Sequence, residues 1–71
     1  MTLADLKVGQ REKIKSVVGD RVLVHQLEAL GFVPGSLVSL VSRGPFRDPL
    51  AFQIRGTTIA LRKSEARCIV V

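Results

Sequence analysis

The chain has 71 residues, of which 46% are hydrophobic, and a net charge of +5, which corresponds to one small domain with a single core. Its only cysteine, Cys68, excludes an internal disulfide, and no apolar run approaches the roughly 20 residues of a membrane span. The basic charge suits nucleic acid, an anionic membrane face or an acidic protein as partner, and equally a soluble protein without one. We expect a complete cytosolic domain that covers residues 1–71.

The chain begins with a predicted helical turn and a predicted strand. Thr2–Leu6 predicts one helical turn with Thr2 as N-cap and with Leu3 and Leu6 facing inward. Arg11–Val18 is the first predicted strand, because alternate residues form one face. The residues of this inward face are Ile14, Ser16 and Val18.

A helix over Arg21–Leu30 follows, with Asp20 as its N-cap. At 100° per residue, one inward stripe holds three leucines: Leu23, Leu27 and Leu30. Val22 and Ala29 widen this apolar arc beyond what a short helix needs to cover a small barrel. Two interpretations stay open: the surplus apolar surface contacts a partner, or the N-terminal turn covers it.

The helix is predicted to end in a sharp reversal of the chain. Gly31 stands where a helix takes a left-handed residue, which glycine adopts without strain. Pro34 and Gly35 then predict a type II turn, because proline fixes φ at its second position and glycine accepts positive φ at its third. Phe32 is expected to be buried between these two features.

Four more strands are predicted after this turn: Leu37–Ser42, Leu50–Arg55, Thr58–Arg62 and Arg67–Val71. The first of them is apolar on both faces, which predicts a central strand or one that the helix covers. Arg43–Pro49 is an irregular loop, Gly56–Thr57 a hairpin turn and Lys63–Ala66 a helical turn. Five strands, with one helix inserted between the first and the second, predict a mainly β, SH3-like barrel.

No catalytic residue pattern is present, so we expect no enzyme. His25 and Glu28, one turn apart on the polar helix face, are the weak candidates for a divalent transition metal, although an exposed helix histidine is the plainer interpretation. Cys68 is expected to be a small hydrophobic residue of the core or of a sheet edge. Since the chain lacks Trp and Tyr, it lacks the stacking platforms of nucleic-acid binders, and we expect no nucleic acid.

Phe46 lies at the tip of the irregular loop, between Pro45 and Arg47. Its ring is expected either to tuck under the loop or to serve as an exposed anchor for a partner. Loop aromatics beside arginine are typical of contact surfaces.

Residues 27–35, 44–50 and 59–62 closely resemble the FeoA family, and the resemblance extends over residues 3–71. The residues that form the motif are Leu27, Leu30, Gly31, Pro34, Gly35, Asp48 and Pro49. The resemblance implies an SH3-like fold, which also occurs in metal-dependent repressors, and a cytosolic partner of the FeoB ferrous-iron permease. Family members commonly have glycine before the Asp-Pro pair, so a positive φ there would strain Arg47.

Membership would imply a non-enzymatic accessory module that docks on the cytoplasmic GTPase region of a FeoB-type permease. Such a module would reach the membrane only through its partner. We expect contacts through Val22, Ala29, Phe46 and Arg47. The alternatives are a basic nucleic-acid-binding barrel and a small transition-metal-responsive domain. Exposed strand edges also permit weak self-association.

Overall fold

Two antiparallel sheets share one core in the computed structural model, which describes residues 1–71. The strands are β1 (Arg11–Lys13), β2 (Ser16–Val17), β3 (Leu37–Arg43), β4 (Leu50–Ile54), β5 (Thr57–Leu61) and β6 (Ile69–Val70). The helices are α1 (Arg21–Ala29) and α2 (Lys63–Ala66), and single 3₁₀ turns occur at Leu3–Asp5 and Pro45–Arg47. Neither helix has the length and apolar character that crossing a membrane requires.

The larger sheet has the strand order β1-β3-β4-β5, and β2 pairs with β6 in the smaller one. The mainly β architecture is therefore confirmed, with α1 inserted where the helix was expected. The strand apolar on both faces, β3, is central as predicted, but the helix does not cover it. Leu37 on its outer face is 53% exposed, and Val41 is also exposed.

The prediction of one continuous first strand over Arg11–Val18 is wrong, and the barrel has six strands. The chain changes partner at its middle: Gly35 N–H donates to the Ile14 carbonyl at 2.8 Å, whereas Lys15 N–H donates to Val70 at 2.8 Å. The segment thus passes from the larger sheet to the smaller one. Because this corner breaks the alternation, Ile14 is buried but Val18, predicted to face inward, is half-exposed.

Other predicted boundaries shift by one or two residues. The hairpin turn lies at Arg55–Gly56, one residue earlier than expected, and both residues have positive φ. The last strand begins only at Ile69, because Cys68 N–H still donates to the Glu65 carbonyl at 3.0 Å in the turn that ends α2.

The start of α1 and its end both follow the sequence prediction. Leu23 N–H donates to the Asp20 carboxylate at 2.9 Å, so the N-cap is formed. At the other end Gly31 has φ +109, and its N–H donates to Glu28 at 2.9 Å while Phe32 N–H donates to Leu27 at 3.1 Å. This pair of bonds is a Schellman motif, which satisfies carbonyls that the helix end leaves free.

The predicted type II turn follows directly after the Schellman motif. Ser36 N–H donates to the Val33 carbonyl at 3.1 Å, and Gly35 has φ +92. Phe32, between the helix end and this turn, is fully buried and meets Phe52 edge-to-face, with ring centroids 6.4 Å apart. The reversal therefore places an aromatic ring at the centre of the barrel.

Fourteen buried hydrophobic residues form the core, and no charged or polar residue is buried. They are Leu3, Leu6, Ile14, Leu27, Phe32, Val38, Leu40, Leu50, Phe52, Ile54, Leu61, Ala66, Ile69 and Val71. Every helix and strand except β1 and β2 contributes at least one of them.

Leu27 is the only α1 residue buried in the core, at 1% exposure. Leu27→Ala should lower the free energy of unfolding by about 2–5 kcal/mol, because it removes buried methyl groups and leaves a cavity. Urea denaturation measures this loss. Val22→Ala on the exposed side of the same helix is the control, with an expected change within about 0.5 kcal/mol; equal losses in both variants would contradict this packing.

Asp5 stabilises the N-terminal turn through Thr2, whose N–H donates to its carboxylate at 2.9 Å. This hydrogen bond lowers the pKa of Asp5 below its ordinary value of 3.8. A lowered pKa adds stability above the ordinary pKa, and this stability is lost as the pH falls through the lowered value. Thermal unfolding should therefore show Asp5→Asn less stable than wild type at pH 7 and equally stable in strong acid. A difference that persists in acid would contradict this role.

Candidate functional site

Helix α1 presents most of its surface to solvent. Val22 is 66% exposed, and Ala29 is exposed on the same face two turns later. Leu30 is 49% exposed, so the prediction that it lies on the inward stripe is wrong. The inward stripe is narrow because α1 packs mainly against the two-residue strand β2, and Leu30 lies 60° round the helix from Leu27.

The N-terminal turn does not cover this helix face. The Leu3–Asp5 turn packs against α2 instead, and its leucine is part of the core. Of the two interpretations of the surplus apolar arc, covering by this turn is wrong. Val22, Ala29 and Leu30 form an exposed surface, which we call the helix patch.

The loop over residues 44–49 is ordered by its own hydrogen bonds. Gly44 N–H donates to the Pro49 carbonyl at 2.7 Å, and Arg47 N–H donates to Gly44 at 3.0 Å. The Asp48 carboxylate accepts from Lys63 N–H at 3.0 Å and so joins the loop to the start of α2. This hydrogen bond gives Asp48 of the sequence motif a structural role.

Phe46 lies at the tip of this loop and is fully exposed, at 100%. Of its two interpretations, tucking under the loop is wrong. Phe46 and Arg47 both have positive φ, at +58 and +63, which is unfavourable for residues with a Cβ. Arg47 thus has the positive φ under which strain was expected. Together Phe46 and Arg47 form the loop patch.

The helix patch and the loop patch are separate surfaces. The Arg55 side chain passes close to Gly31, so the end of α1 lies beside the β4–β5 turn. The loop patch joins the opposite ends of β3 and β4. Since β3 has 7 residues, about 20 Å of strand separates the two ends. The four predicted contact residues are thus all exposed, but they do not converge on one site.

The weak metal candidates are both on the solvent side of α1. His25 and Glu28 are exposed, and no group of three or more His, Cys, Asp or Glu side chains lies close enough to hold a metal ion. Cys68 is partly buried against the core, with its Sγ 3.5 Å from the Ser64 carbonyl. The interpretation of Cys68 as a small hydrophobic residue is confirmed.

A shallow groove lies on the outer face of the larger sheet and was not predicted from the sequence. Its volume is about 160 Å³, and it is lined by Arg11, Leu37, Val38, Ser39, Gln53 and Arg55. The only sequence signal was the apolar residues on both faces of β3. Strand pairing determines which basic residues flank Leu37. The composition of the chain does not specify this pairing.

The family model described as the FeoA domain matches residues 1–71. The chain belongs to the FeoA family. A curated relative, the Fe(2+) transport protein A/Fe(2+) transporter FeoB fusion protein of Porphyromonas gingivalis, is 32% identical over 71 residues, which are all of this chain and 8% of the fusion protein. This FeoA domain thus spans a small part of that relative.

Two solved structures are similar to this FeoA domain over nearly its whole length. FeoA of Stenotrophomonas maltophilia, in complex with zinc, is 37% identical with a TM-score of 0.88, covering 100% of this chain and 88% of that one. FeoA of Chlorobium tepidum is 30% identical with a TM-score of 0.90, covering 99% and 67%. The former is described as an SH3 domain protein, so the SH3-like prediction is confirmed.

Gly44 is the residue of the 44–49 loop that tolerates no side chain. Its φ of −74 suits any residue, but a Cβ would lie 2.9 Å from Pro49 Cδ and 3.0 Å from the Asp48 carbonyl. Gly44→Ala should therefore lower the free energy of unfolding by about 1–3 kcal/mol through overpacking. Chemical denaturation checks this, with Ser42→Ala as control; unchanged stability of Gly44→Ala would show that the loop is not closed as described.

Proposed function

We propose that this FeoA domain is a non-enzymatic accessory module of ferrous iron uptake, which docks on the cytoplasmic GTPase region of a FeoB-type permease at the inner membrane face. The observation that carries this proposal is the fusion relative, in which an FeoA sequence and a FeoB transporter form one polypeptide. A covalent link keeps two modules at high effective concentration. A covalent link is an advantage for two modules that act together. The fusion therefore supports an association between FeoA and FeoB where they are separate proteins.

The loop patch supports docking because it presents an aromatic side chain that nothing in this chain covers. Burying a Phe side chain contributes about 1.5–3 kcal/mol, and aromatic and arginine side chains are frequent binding anchors. The loop is already held by the hydrogen bonds of Gly44, Arg47 and Asp48. Little conformational entropy is therefore lost when a partner covers Phe46.

The helix patch offers a second contact surface. Val22 and Ala29 lie on one exposed face, and Leu30 adds exposed apolar area beside them. Because about 20 Å of strand separates this patch from Phe46, the partner either spans both patches or uses one of them. Single substitutions in each patch distinguish these two arrangements.

A metal-dependent function is the second candidate, favoured by the zinc complex of the S. maltophilia relative. We propose that a divalent transition metal binds weakly at His25 and Glu28, which are neighbours on the surface of α1. Two side chains do not complete a four-ligand metal site, so a second molecule must supply the other ligands. Metal binding would therefore be coupled to weak self-association. Zinc titration should convert the wild-type protein to dimers, and His25→Ala should abolish this dimerisation. A molecular mass in solution that does not change with zinc in either protein would exclude this site.

A nucleic-acid function has no comparable support, since the only exposed aromatic side chain is Phe46. We expect no complex with DNA or RNA in a gel-shift experiment at low salt, where electrostatic binding is strongest. A shifted band that weakens steeply with added salt would contradict this expectation.

Phe46→Ala and Ala29→Glu should impair iron uptake without unfolding the domain. Each variant changes an exposed residue of one patch. Loss of an aromatic anchor that the partner buries weakens binding by about tenfold or more. The measurement is uptake of radioactive ferrous iron by cells that depend on this protein, with circular dichroism as the check on folding.

Ala60→Glu, at an exposed position of β5 that belongs to neither patch, is the matched control for the added charge and should leave uptake unchanged. Impaired uptake by only one of the two variants would show that only that patch contacts the partner. Normal uptake by both variants would contradict the proposed contact surface.

A further inference from the structure

The groove on the outer face of the larger sheet is basic. None of its six lining residues is acidic, and two of them, Arg11 and Arg55, are arginines. Ser39 and Gln53 add a hydroxyl and an amide to its floor. The groove therefore combines hydrogen-bond donors and positive charge with an apolar residue, Leu37, that is 53% exposed.

Strand pairing places the basic residues around Leu37. Lys13 of β1 lies opposite Leu37, and Arg11 lies opposite Ser39, so these residues share the outer face. On the other side, Arg55 follows directly after β4, and its Nη2 lies 3.3 Å from the Ser36 hydroxyl, to which it donates. The exposed leucine thus has positive charge on both sides.

The backbone at Arg55 is unfavourable for arginine. Arg55 and Gly56 form the two-residue turn between β4 and β5 and have φ of +50 and +76. Positive φ at both positions is the type I′ arrangement, whose first position favours asparagine, aspartate or glycine. An arginine here costs folding free energy relative to asparagine. Residues that break such a local rule tend to occur at functional sites.

We propose that this groove binds an acidic, extended segment of a partner polypeptide. Carboxylates of the segment pair with Arg11 and Arg55, whose planar guanidinium groups match them in two-pronged geometry. An apolar side chain of the segment packs on Leu37. This site shares no residue with the helix patch or the loop patch, and it does not depend on the iron permease being the partner.

The charge and shape of the groove favour an acidic polypeptide over other occupants. A second copy of this chain carries the same net charge of +5 and would be repelled. Nucleic acid would find no aromatic side chain to stack on, since no aromatic residue lines the groove. A lipid bilayer contacts residues that protrude from a protein surface. A ligand of this groove must instead place its carboxylates inside a recess.

The test uses a short synthetic peptide in which glutamate alternates with leucine. Amide chemical shifts of the isotope-labelled protein should change saturably in β1, β3 and the end of β4, with a dissociation constant below about 1 mM. The same peptide with lysine in place of glutamate should cause no change. Failure of the acidic peptide to bind, or shift changes confined to other surfaces, would overturn the proposal.

Arg55→Asn separates binding from stability, because the two should change in opposite directions. Loss of the guanidinium should weaken the acidic peptide by about tenfold or more. The better turn residue should raise the melting temperature by about 4 °C. Arg67→Asn, an equal change of charge at an exposed site after α2, should change neither quantity appreciably.

Three results of these experiments would contradict the proposal. Unchanged peptide affinity of Arg55→Asn would exclude the arginine as a ligand. A lower melting temperature would show that Arg55 serves stability instead. Stronger perturbation of the same amides by phosphatidylglycerol vesicles or by single-stranded DNA would assign the groove to a membrane or to nucleic acid.

Discussion

The hydrogen bond from Phe32 N–H to the Leu27 carbonyl, 3.1 Å long, fixes where the helix stops and where the barrel resumes. It closes a Schellman motif that requires the left-handed Gly31, and the turn at Pro34 and Gly35 follows at once. Between these two features Phe32 has no route to solvent and enters the core. A longer helix or a wider turn would move this ring away from Phe52 and open the centre of the domain.

The same reversal leaves much of the surface available for binding. Leu27 is the only residue of helix α1 that is buried in the core. The apolar residues outside the inward stripe of the helix therefore remain exposed. The three non-glycine residues with positive φ are Phe46, Arg47 and Arg55, and all of them lie in the loop patch or in the groove. Unfavourable backbone conformation therefore coincides with the proposed contact surfaces, which is where strain is commonly tolerated.

Features set by neighbouring residues could be predicted from the sequence. Asp20, Gly31 and the Pro34–Gly35 pair act within a few residues, so the helix and both of its ends were placed correctly. Features set by distant residues could not. The first strand splits because Lys15 pairs with Val70, and Leu30 is exposed because α1 packs mainly against so short a strand. The groove depends on which residues of β1 lie opposite β3, and no periodicity specifies that.

We propose that this FeoA domain binds a FeoB-type permease through its exposed apolar side chains. Biolayer interferometry of the purified chain with the full-length permease in lipid nanodiscs measures this binding. We expect saturable binding that Phe46→Ala weakens. Binding no stronger than that of an unrelated protein with the same net charge would contradict it.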